Sequence, residues 1–128
     1  MSRIVLDASA VLAFLNEEPG ADKLTDSLLS EASVSTVNLT EAASKLIQAG
    51  DEPDAVWRDL DFFFPSAEWF SVEQAQIAAK LVQQTRALGL SLGDRACLAL
   101  GIALKAPVWT TDRSWKKLSV GVPIHLMR

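Results

Sequence analysis

The sequence has little of what several common protein classes require. It contains one cysteine, Cys97, and one histidine, His125. A single thiol excludes an intramolecular disulfide, so we expect a reducing, cytoplasmic compartment. A single histidine in a predicted strand leaves almost no material for zinc coordination or histidine acid–base chemistry. No apolar run is long enough to cross a bilayer, and residues 1–3 lead into a strand-like segment instead of a secretory leader.

The composition predicts one soluble globular domain spanning residues 1–128. Hydrophobic residues make up 49% of the 128 residues and charged ones 22%, while Gly 6 and Pro 5 leave no room for a long linker. A chain of this length can bury a core without disulfides or a structural metal. The net charge of −4 argues against nucleic-acid binding by a broad basic surface. A local basic rim stays possible, because neutralising four of the 16 acids would leave 12 facing 12 bases.

The alternation of apolar segments predicts the fold class. We expect strands at residues 3–6, 32–37, 69–70, 107–110 and 122–126. Helices are expected over residues 7–15, 21–30, from 38 onward, 54–64, 71–88 and about 91–104. Helices between successive strands favour a three-layer α/β/α sandwich with a mostly parallel central sheet and right-handed crossovers.

Four acidic residues occupy positions that this fold would gather at one edge of the sheet. Asp7 and Asp112 directly follow predicted strands, whereas Glu41 and Asp94 fall in the first turns of predicted helices. Ligand sites of open parallel sheets form outside the carboxyl ends of the strands. Carboxylates held together raise one another's pKa unless a positive charge lies between them. The pattern therefore predicts a divalent cation site, and hard carboxylate oxygens favour Mg²⁺ or Mn²⁺.

Each acid also has a simpler, local interpretation. Asp7 can cap the helix that follows it, and residues 38–41 and 91–94 both match a capping box. Asp112 matches an ordinary turn aspartate. Gly93, however, lowers helix propensity while permitting a close approach by another group, which favours a site beside Asp94.

Several neighbouring side chains are candidates to support the acids. The hydroxyls of Ser9 and Thr110 are expected at the same sheet edge, where they could hydrogen-bond a carboxylate, a water molecule or a phosphate oxygen. Arg95 and Arg113 each adjoin a proposed acid and could hold phosphate oxygens, although solvated arginines after a turn are equally common. Cys97 lies on an apolar helix and is expected to pack as a small apolar group.

Four short motifs, taken in order, resemble a known family. They are Ile4–Ala10, the isolated Glu41, Ser91–Arg95 and Thr110–Arg113. Together they resemble the PIN-domain ribonucleases, and within them the VapC-type toxins of prokaryotic toxin–antitoxin pairs. The resemblance implies a PIN-like fold, Mg²⁺ or Mn²⁺, cleavage of RNA, a homodimer and inhibition by a cognate antitoxin. It makes Asp7, Glu41, Asp94 and Asp112 the family's acidic quartet, with Ser9 and Thr110 as supporting hydroxyls.

This resemblance leads to a mechanistic hypothesis. Asp7 and Asp94 would be the main metal ligands, with Asp112 binding directly or through water. Glu41 would position the nucleophilic water or complete a second metal site. Attack by that water on the phosphodiester would leave a 5′-phosphate and a 3′-hydroxyl, without any need for a histidine.

Two other classes of function compete with this one. A phosphatase of the haloacid-dehalogenase type would require a second aspartate where Ser9 stands, and a receiver domain would require a lysine ending a late strand. Lys105 precedes the relevant strand, and Lys116 and Lys117 follow it. A non-enzymatic domain, whose acids only cap helices and whose aromatic residues bind a partner, would respond to divalent ions neither in thermal stability nor in activity.

The aromatic residues point to a partner surface. The four tryptophans and residues 62–64 exceed what one helix face can bury. We expect an antitoxin to contact the outer sides of the first, second and fourth helices. The residues predicted to line that groove are Leu12, Leu15, Leu28, Trp57 and Phe63.

Overall fold

A five-stranded, all-parallel sheet forms the middle of the molecule. The computed structural model describes residues 3–128, so the predicted approach of residues 1–2 to the first strand lies outside the described part. The strands follow the order β3-β2-β1-β4-β5 across the sheet. Their bounds are β1 Ile4–Leu6, β2 Ala32–Ser35, β3 Ala67–Glu68, β4 Val108–Thr110 and β5 Ile124–Leu126. The predicted fold class is confirmed.

Helices connect the strands at both faces. They are α1 Ala8–Leu15, α2 Asp26–Leu29, α3 Thr36–Gln48, α4 Pro53–Phe63, α5 Val72–Thr85 and α6 Leu92–Leu104. Three 3₁₀ helices, Ala21–Lys23, Arg86–Leu88 and Arg113–Lys117, complete the described elements. The predicted helix over residues 21–30 is divided, because the Thr25 side chain caps a new helix by accepting from the Leu28 N–H. Within residues 3–128, none of the helices has the length and apolarity that a membrane crossing requires.

Two predicted boundaries are wrong, and both errors arise where β2 ends. Helix α3 begins at Thr36 and not at Asn38, because the Ser35 hydroxyl accepts from the Val37 N–H and caps the helix earlier. The third strand is Ala67–Glu68 and not residues 69–70. Its register pairs Ser35 with Glu68, so no extended backbone of β2 remains to pair with Trp69.

The sheet separates two hydrophobic clusters. Leu6 points into a cluster with residues of α1, α3 and α4, whereas its neighbour Val5 points into one with residues of α5 and α6. This alternation follows from the two-residue period of a strand. Helix α6 is buried along its middle from Ala96 to Gly101, as its apolar sequence predicts. The buried helix and the central strand β1 thus form a fixed base for the side chains at the carboxyl edge.

Candidate active site

Asp7 lies at the carboxyl end of β1, in the centre of the sheet. Its side chain is only 5% exposed. One carboxylate oxygen, Oδ1, accepts from the Ala10 N–H at 2.8 Å and from the Ser9 hydroxyl at 2.7 Å, and Oδ2 accepts from the Thr110 hydroxyl at 2.6 Å. Asp7 is therefore the N-cap of α1 and also the centre of a hydroxyl network.

That network ties the end of β1 to the loop after β4. The Thr111 N–H donates to Ser9 Oγ at 3.0 Å, and the Asp112 N–H donates to Thr110 Oγ1 at 3.1 Å. Since Thr110 also donates to Asp7, a continuous chain of hydrogen bonds leads from the Asp112 backbone to the Asp7 carboxylate. The two supporting hydroxyls thus lie where the sequence places them, and they fix the relative positions of two acids.

Burial raises the pKa of Asp7 from 3.8 to about 6. The main cause is the loss of hydration, since an ionised carboxylate is disfavoured in a poorly hydrated site. The hydrogen bonds from Ser9, Thr110 and Ala10 oppose the rise, while the negative charge of Asp94 adds to it. The ionised form of Asp7 is therefore held at an energetic cost.

Glu41 does not cap a helix, which rules out the alternative interpretation of residues 38–41 as a capping box. Because α3 begins at Thr36, Glu41 lies in the second turn of the helix instead of the first. Its carboxylate packs against Gly93, and a Cβ atom added to Gly93 would clash with it. Gly93 is therefore required for α6 to approach Glu41 this closely. The stability of the individual helices explains neither the glutamate at position 41 nor the glycine at position 93.

Asp94 and Asp112 both have capping roles. Asp94 forms a capping box in which the Ser91 N–H donates to Asp94 Oδ2 at 3.0 Å and the Asp94 N–H donates to Ser91 Oγ at 3.2 Å. Asp112 accepts from the Ser114 N–H and hydroxyl and caps the 3₁₀ helix Arg113–Lys117. Capping occupies only part of a carboxylate's acceptor capacity, so it leaves these acids able to bind a further group.

Three of the four acids lie close enough to act on the same buried thiol. Burial raises the pKa of Cys97 well above its usual value, and the charges of Asp7, Asp94 and Glu41 raise it further. Cys97 lies on α6, fully buried, as its predicted apolar role requires. The charges of these three carboxylates therefore all reach the buried part of α6 around Cys97.

The chemistry of these donors fits a hard divalent cation, although the side chains are not arranged as a finished coordination shell. In residues 3–128, no group of three or more acidic, histidine or cysteine side chains surrounds one point at ligand distance. Asp7, Asp94 and Asp112 are each turned toward the hydrogen-bond donors that they cap. Burial is the main cause of the raised pKa of Asp7, and the negative charge of Asp94 adds to it. A cation would be expected to draw these carboxylates toward it.

The two candidate arginines differ in their surroundings. The Arg95 guanidinium donates to the Ala78 carbonyl at 3.0 Å and thereby ties α6 to α5. Arg113 is exposed and begins the 3₁₀ helix after Asp112, which also carries the exposed Lys116 and Lys117. We call this segment, Arg113–Lys117, the basic 3₁₀ helix. Arg113 is thus freer than Arg95 to contact a phosphate.

Sequence reasoning missed one buried polar residue of the site, Asn38. Its side-chain amide donates to Glu41 Oε1 at 3.0 Å and to the Gly93 carbonyl at 3.0 Å. The signal was present, since an asparagine three residues before a helical glutamate lies on the same helix face. The capping-box interpretation pairs Glu41 with the backbone N–H of Asn38, whereas in the structure the Asn38 side-chain nitrogen donates to Glu41.

The structure defines an α/β protein whose polar site lies beyond the carboxyl ends of the central strands of a parallel sheet. The chain belongs to the PIN domain family, whose model matches residues 4–121. A comparison with curated protein sequences gives no significant match.

Several solved structures with the same fold are described as toxins or toxin–antitoxin complexes. A toxin–antitoxin complex from Klebsiella pneumoniae aligns with a TM-score of 0.78 at 13% identity, covering 98% of each chain. DNA-bound VapBC from Salmonella typhimurium aligns with a TM-score of 0.77 at 13% identity, covering 100% of each chain. The toxin VapC20 from Mycobacterium tuberculosis, described as cleaving the sarcin–ricin loop, aligns with a TM-score of 0.73 at 17% identity, covering 94% of this chain and 99% of that one.

Proposed function

We propose that this protein is a metal-dependent endoribonuclease and the toxin of a toxin–antitoxin pair. The observation that carries the proposal is Glu41, a carboxylate without a capping role that is packed against Gly93 near two further acids. In a domain whose acids only cap helices, a carboxylate at position 41 would not be expected to pack against Gly93. Family membership and the fold shared with VapC20, described as a toxin that cleaves the sarcin–ricin loop, agree with this assignment.

The four acids have separate roles in the proposed reaction. Asp7 and Asp94 would be the main ligands of Mg²⁺ or Mn²⁺, with Asp112 binding directly or through water. The bound cation would neutralise developing negative charge on the phosphate and make a water molecule more acidic. Glu41 would orient that water or hold a second cation. Ser9 and Thr110 keep the Asp7 carboxylate in one orientation through their hydroxyl hydrogen bonds.

RNA would approach an acidic protein along its most basic segment. Within residues 3–128, the ion pairs are Arg3–Glu68 and Arg128–Glu18, so the cations of the basic 3₁₀ helix are free of acidic partners. Asp112 directly precedes and caps this segment, which places its positive charges beside that acid. We infer that Arg113 and its neighbouring lysines hold phosphates that flank the cleaved bond.

The test of this function is the loss of cleavage in acid-to-amide variants. Asp7→Asn and Asp94→Asn are each expected to lower the cleavage rate of a fluorescent single-stranded RNA by about 100-fold or more, because several kcal/mol of charge stabilisation depend on the cation. Asp61→Asn, at an exposed position on α4, is the matched control. Parental rates in both site variants, with an unchanged circular dichroism spectrum, would refute the proposal.

A separate groove suits an antitoxin segment. It encloses about 770 Å³, and its apolar lining includes Phe14, Leu15 and Phe63. Acidic side chains surround it: Glu17, Glu18, Asp22, Asp51 and Asp59. An amphipathic segment with basic flanks would complement this surface in both apolarity and charge. We infer that a cognate antitoxin binds here; solved structures that share this fold include a toxin–antitoxin complex from Klebsiella pneumoniae and VapBC from Salmonella typhimurium.

The predicted antitoxin residues are only partly in this groove. Leu15 and Phe63 line it, whereas Leu12 and Leu28 pack against the core and Trp57 is 44% exposed outside the lining. Homodimerisation stays a prediction of the family resemblance. The apolar surface available for it includes Trp69 and Val72, which are 74% and 76% exposed.

A further inference from the structure

Asn38 links two elements that carry proposed site residues. It lies in the first turn of α3, where its side chain is buried with an exposed fraction of 1%. One side-chain nitrogen serves two acceptors, Glu41 Oε1 on the same helix and the Gly93 carbonyl on α6. Asn38 therefore joins Glu41 to the residue directly before Asp94.

Chemistry fixes the orientation of the Asn38 amide. Both neighbours, the Glu41 carboxylate and the Gly93 carbonyl, accept hydrogen bonds and cannot donate them. Turning the amide over would place its oxygen against two other oxygens. Its nitrogen must therefore face Glu41 and Gly93, and this leaves Asn38 Oδ1 on the other side, buried and without a partner.

The buried, unpartnered Asn38 Oδ1 destabilises the folded protein, so the stability of the fold alone does not explain an asparagine at this position. A buried acceptor without a hydrogen bond is unfavourable, because it loses its hydration without replacement. An apolar side chain of similar size would avoid the loss. Within residues 3–128, however, the Asn38 amide is the one side-chain group that donates a hydrogen bond to the Glu41 carboxylate.

We propose that Asn38 is a positioning residue that fixes the Glu41 carboxylate against the start of α6. The inference rests on the proposed nuclease function, in which Glu41 acts in the reaction. Asn38 does not touch the substrate in this scheme. It restricts the rotation of Glu41, and its second bond, to the Gly93 carbonyl, fixes where the amide itself lies, so that its effect on catalysis passes through Glu41.

A double-mutant cycle in RNA cleavage tests this dependence. Asn38→Ala is expected to lower kcat by about 10- to 100-fold, the usual effect of losing a partner that orients a site residue, with the KM for RNA unchanged. In a Glu41→Ala background, Asn38→Ala should not lower kcat any further. Gln74→Ala is the matched control, because Gln74 is another buried amide with an unpartnered oxygen but lies on α5. The proposal is wrong if the decreases in kcat caused by Asn38→Ala and Glu41→Ala multiply in the double variant. It is also wrong if Asn38→Ala changes kcat no more than Gln74→Ala does.

A second measurement detects the contact itself, without RNA or metal. The chain has two asparagines, the exposed Asn16 and the buried Asn38, so selective ¹⁵N-asparagine labelling gives two side-chain amide groups. Glu41→Ala should change the chemical shift of the Asn38 amide protons and leave those of Asn16 unchanged. An unchanged Asn38 signal would overturn the inference.

The two measurements separate this inference from the function on which it rests. Parental cleavage by Glu41→Ala would remove Glu41 from the reaction and refute that part of the proposed function, whatever the amide signals show. An impaired Glu41→Ala combined with a fully active Asn38→Ala would refute the positioning role alone.

Discussion

At the scale of single residues, Asp7 combines a structural task with an unfavourable charge. It caps α1 and binds two hydroxyls, yet burial raises its pKa to about 6. The sequence predicts the position of Asp7 and of both hydroxyls, because they lie next to strand ends whose apolar residues are easily recognised. It does not predict how far Asp7 is buried, since this depends on side chains from distant elements.

The raised pKa of Asp7 predicts how stability depends on pH in the metal-free protein. The folded state binds this proton more tightly than the unfolded state, so the contribution of Asp7 to stability is greatest at low pH and falls as pH rises from about 4 through about 6. The difference between 3.8 and about 6 corresponds to about 3 kcal/mol. Asp7→Asn should remove this dependence and stabilise the metal-free protein at pH 8.

Urea denaturation of both proteins in EDTA, at several pH values between 4 and 8, measures this effect. The expected result is a pH-dependent difference in the free energy of unfolding that is largest at pH 8. If the parent and Asp7→Asn have equal free energies of unfolding at every pH, the ionised Asp7 carboxylate does not destabilise the folded protein.

At the scale of elements, the close approach of α6 to α3 determines where the carboxylates meet. The apolar sequence of α6 predicts its buried position, and Gly93 predicts a close contact near Asp94. The sequence does not identify the contacting group as Glu41, because the capping pattern at residues 38–41 suggests a different helix start. The true start depends on Ser35, which ends β2 and caps α3 at once.

Two glycines of α6 give opposite predictions. Gly93→Ala would place a methyl group on the Glu41 carboxylate, which is the mobile end of a side chain and can turn away. We expect little loss of stability, because alanine favours a helix by about 0.5–1 kcal/mol, but a substantial fall in kcat. Gly101→Ala would instead meet the Val108 side chain and the Ala106 carbonyl, and should cost about 1–3 kcal/mol of stability while the folded protein stays active.

Thermal unfolding and RNA cleavage measured on the same two samples compare these effects. A Gly93→Ala protein with parental kcat would mean that the position of Glu41 is unimportant for the reaction. The contrast with Gly101→Ala controls for a general effect of filling space in α6.

At the scale of the whole molecule, the net charge of −4 is unevenly distributed. Acids surround the apolar groove, while the cations of the basic 3₁₀ helix beside Asp112 form no ion pair within residues 3–128. The composition predicts a small local basic surface at most, and this is what the fold provides. The groove is not predictable in detail, because its walls come from α1, α4 and the segment between α1 and α2.

Charge reversal at the rim of the groove tests its proposed partner. Asp22→Lys combined with Asp59→Lys should weaken the binding of a co-expressed antitoxin by about tenfold or more at low salt, because like charges would face its basic flanks. The loss should shrink as salt increases. Asp61→Lys, exposed on the same helix but outside the groove lining, is the control.

Association rates at two salt concentrations, measured on the immobilised protein, provide the readout. Equal binding by the rim variant and the control would place the antitoxin elsewhere on the surface. RNA cleavage by both variants without antitoxin should match the parent, since the lining of the groove includes none of the four acids among the described residues.

The hydrogen bond between Thr110 and Asp7 joins residues that are 103 positions apart in the chain. Strand β1 is synthesised about a hundred residues before its neighbour β4. When residue 100 has been added, three of the acids are present without the strand whose hydroxyl holds the first of them. The hydrogen-bond network around Asp7 can therefore form only after β4 has left the ribosome.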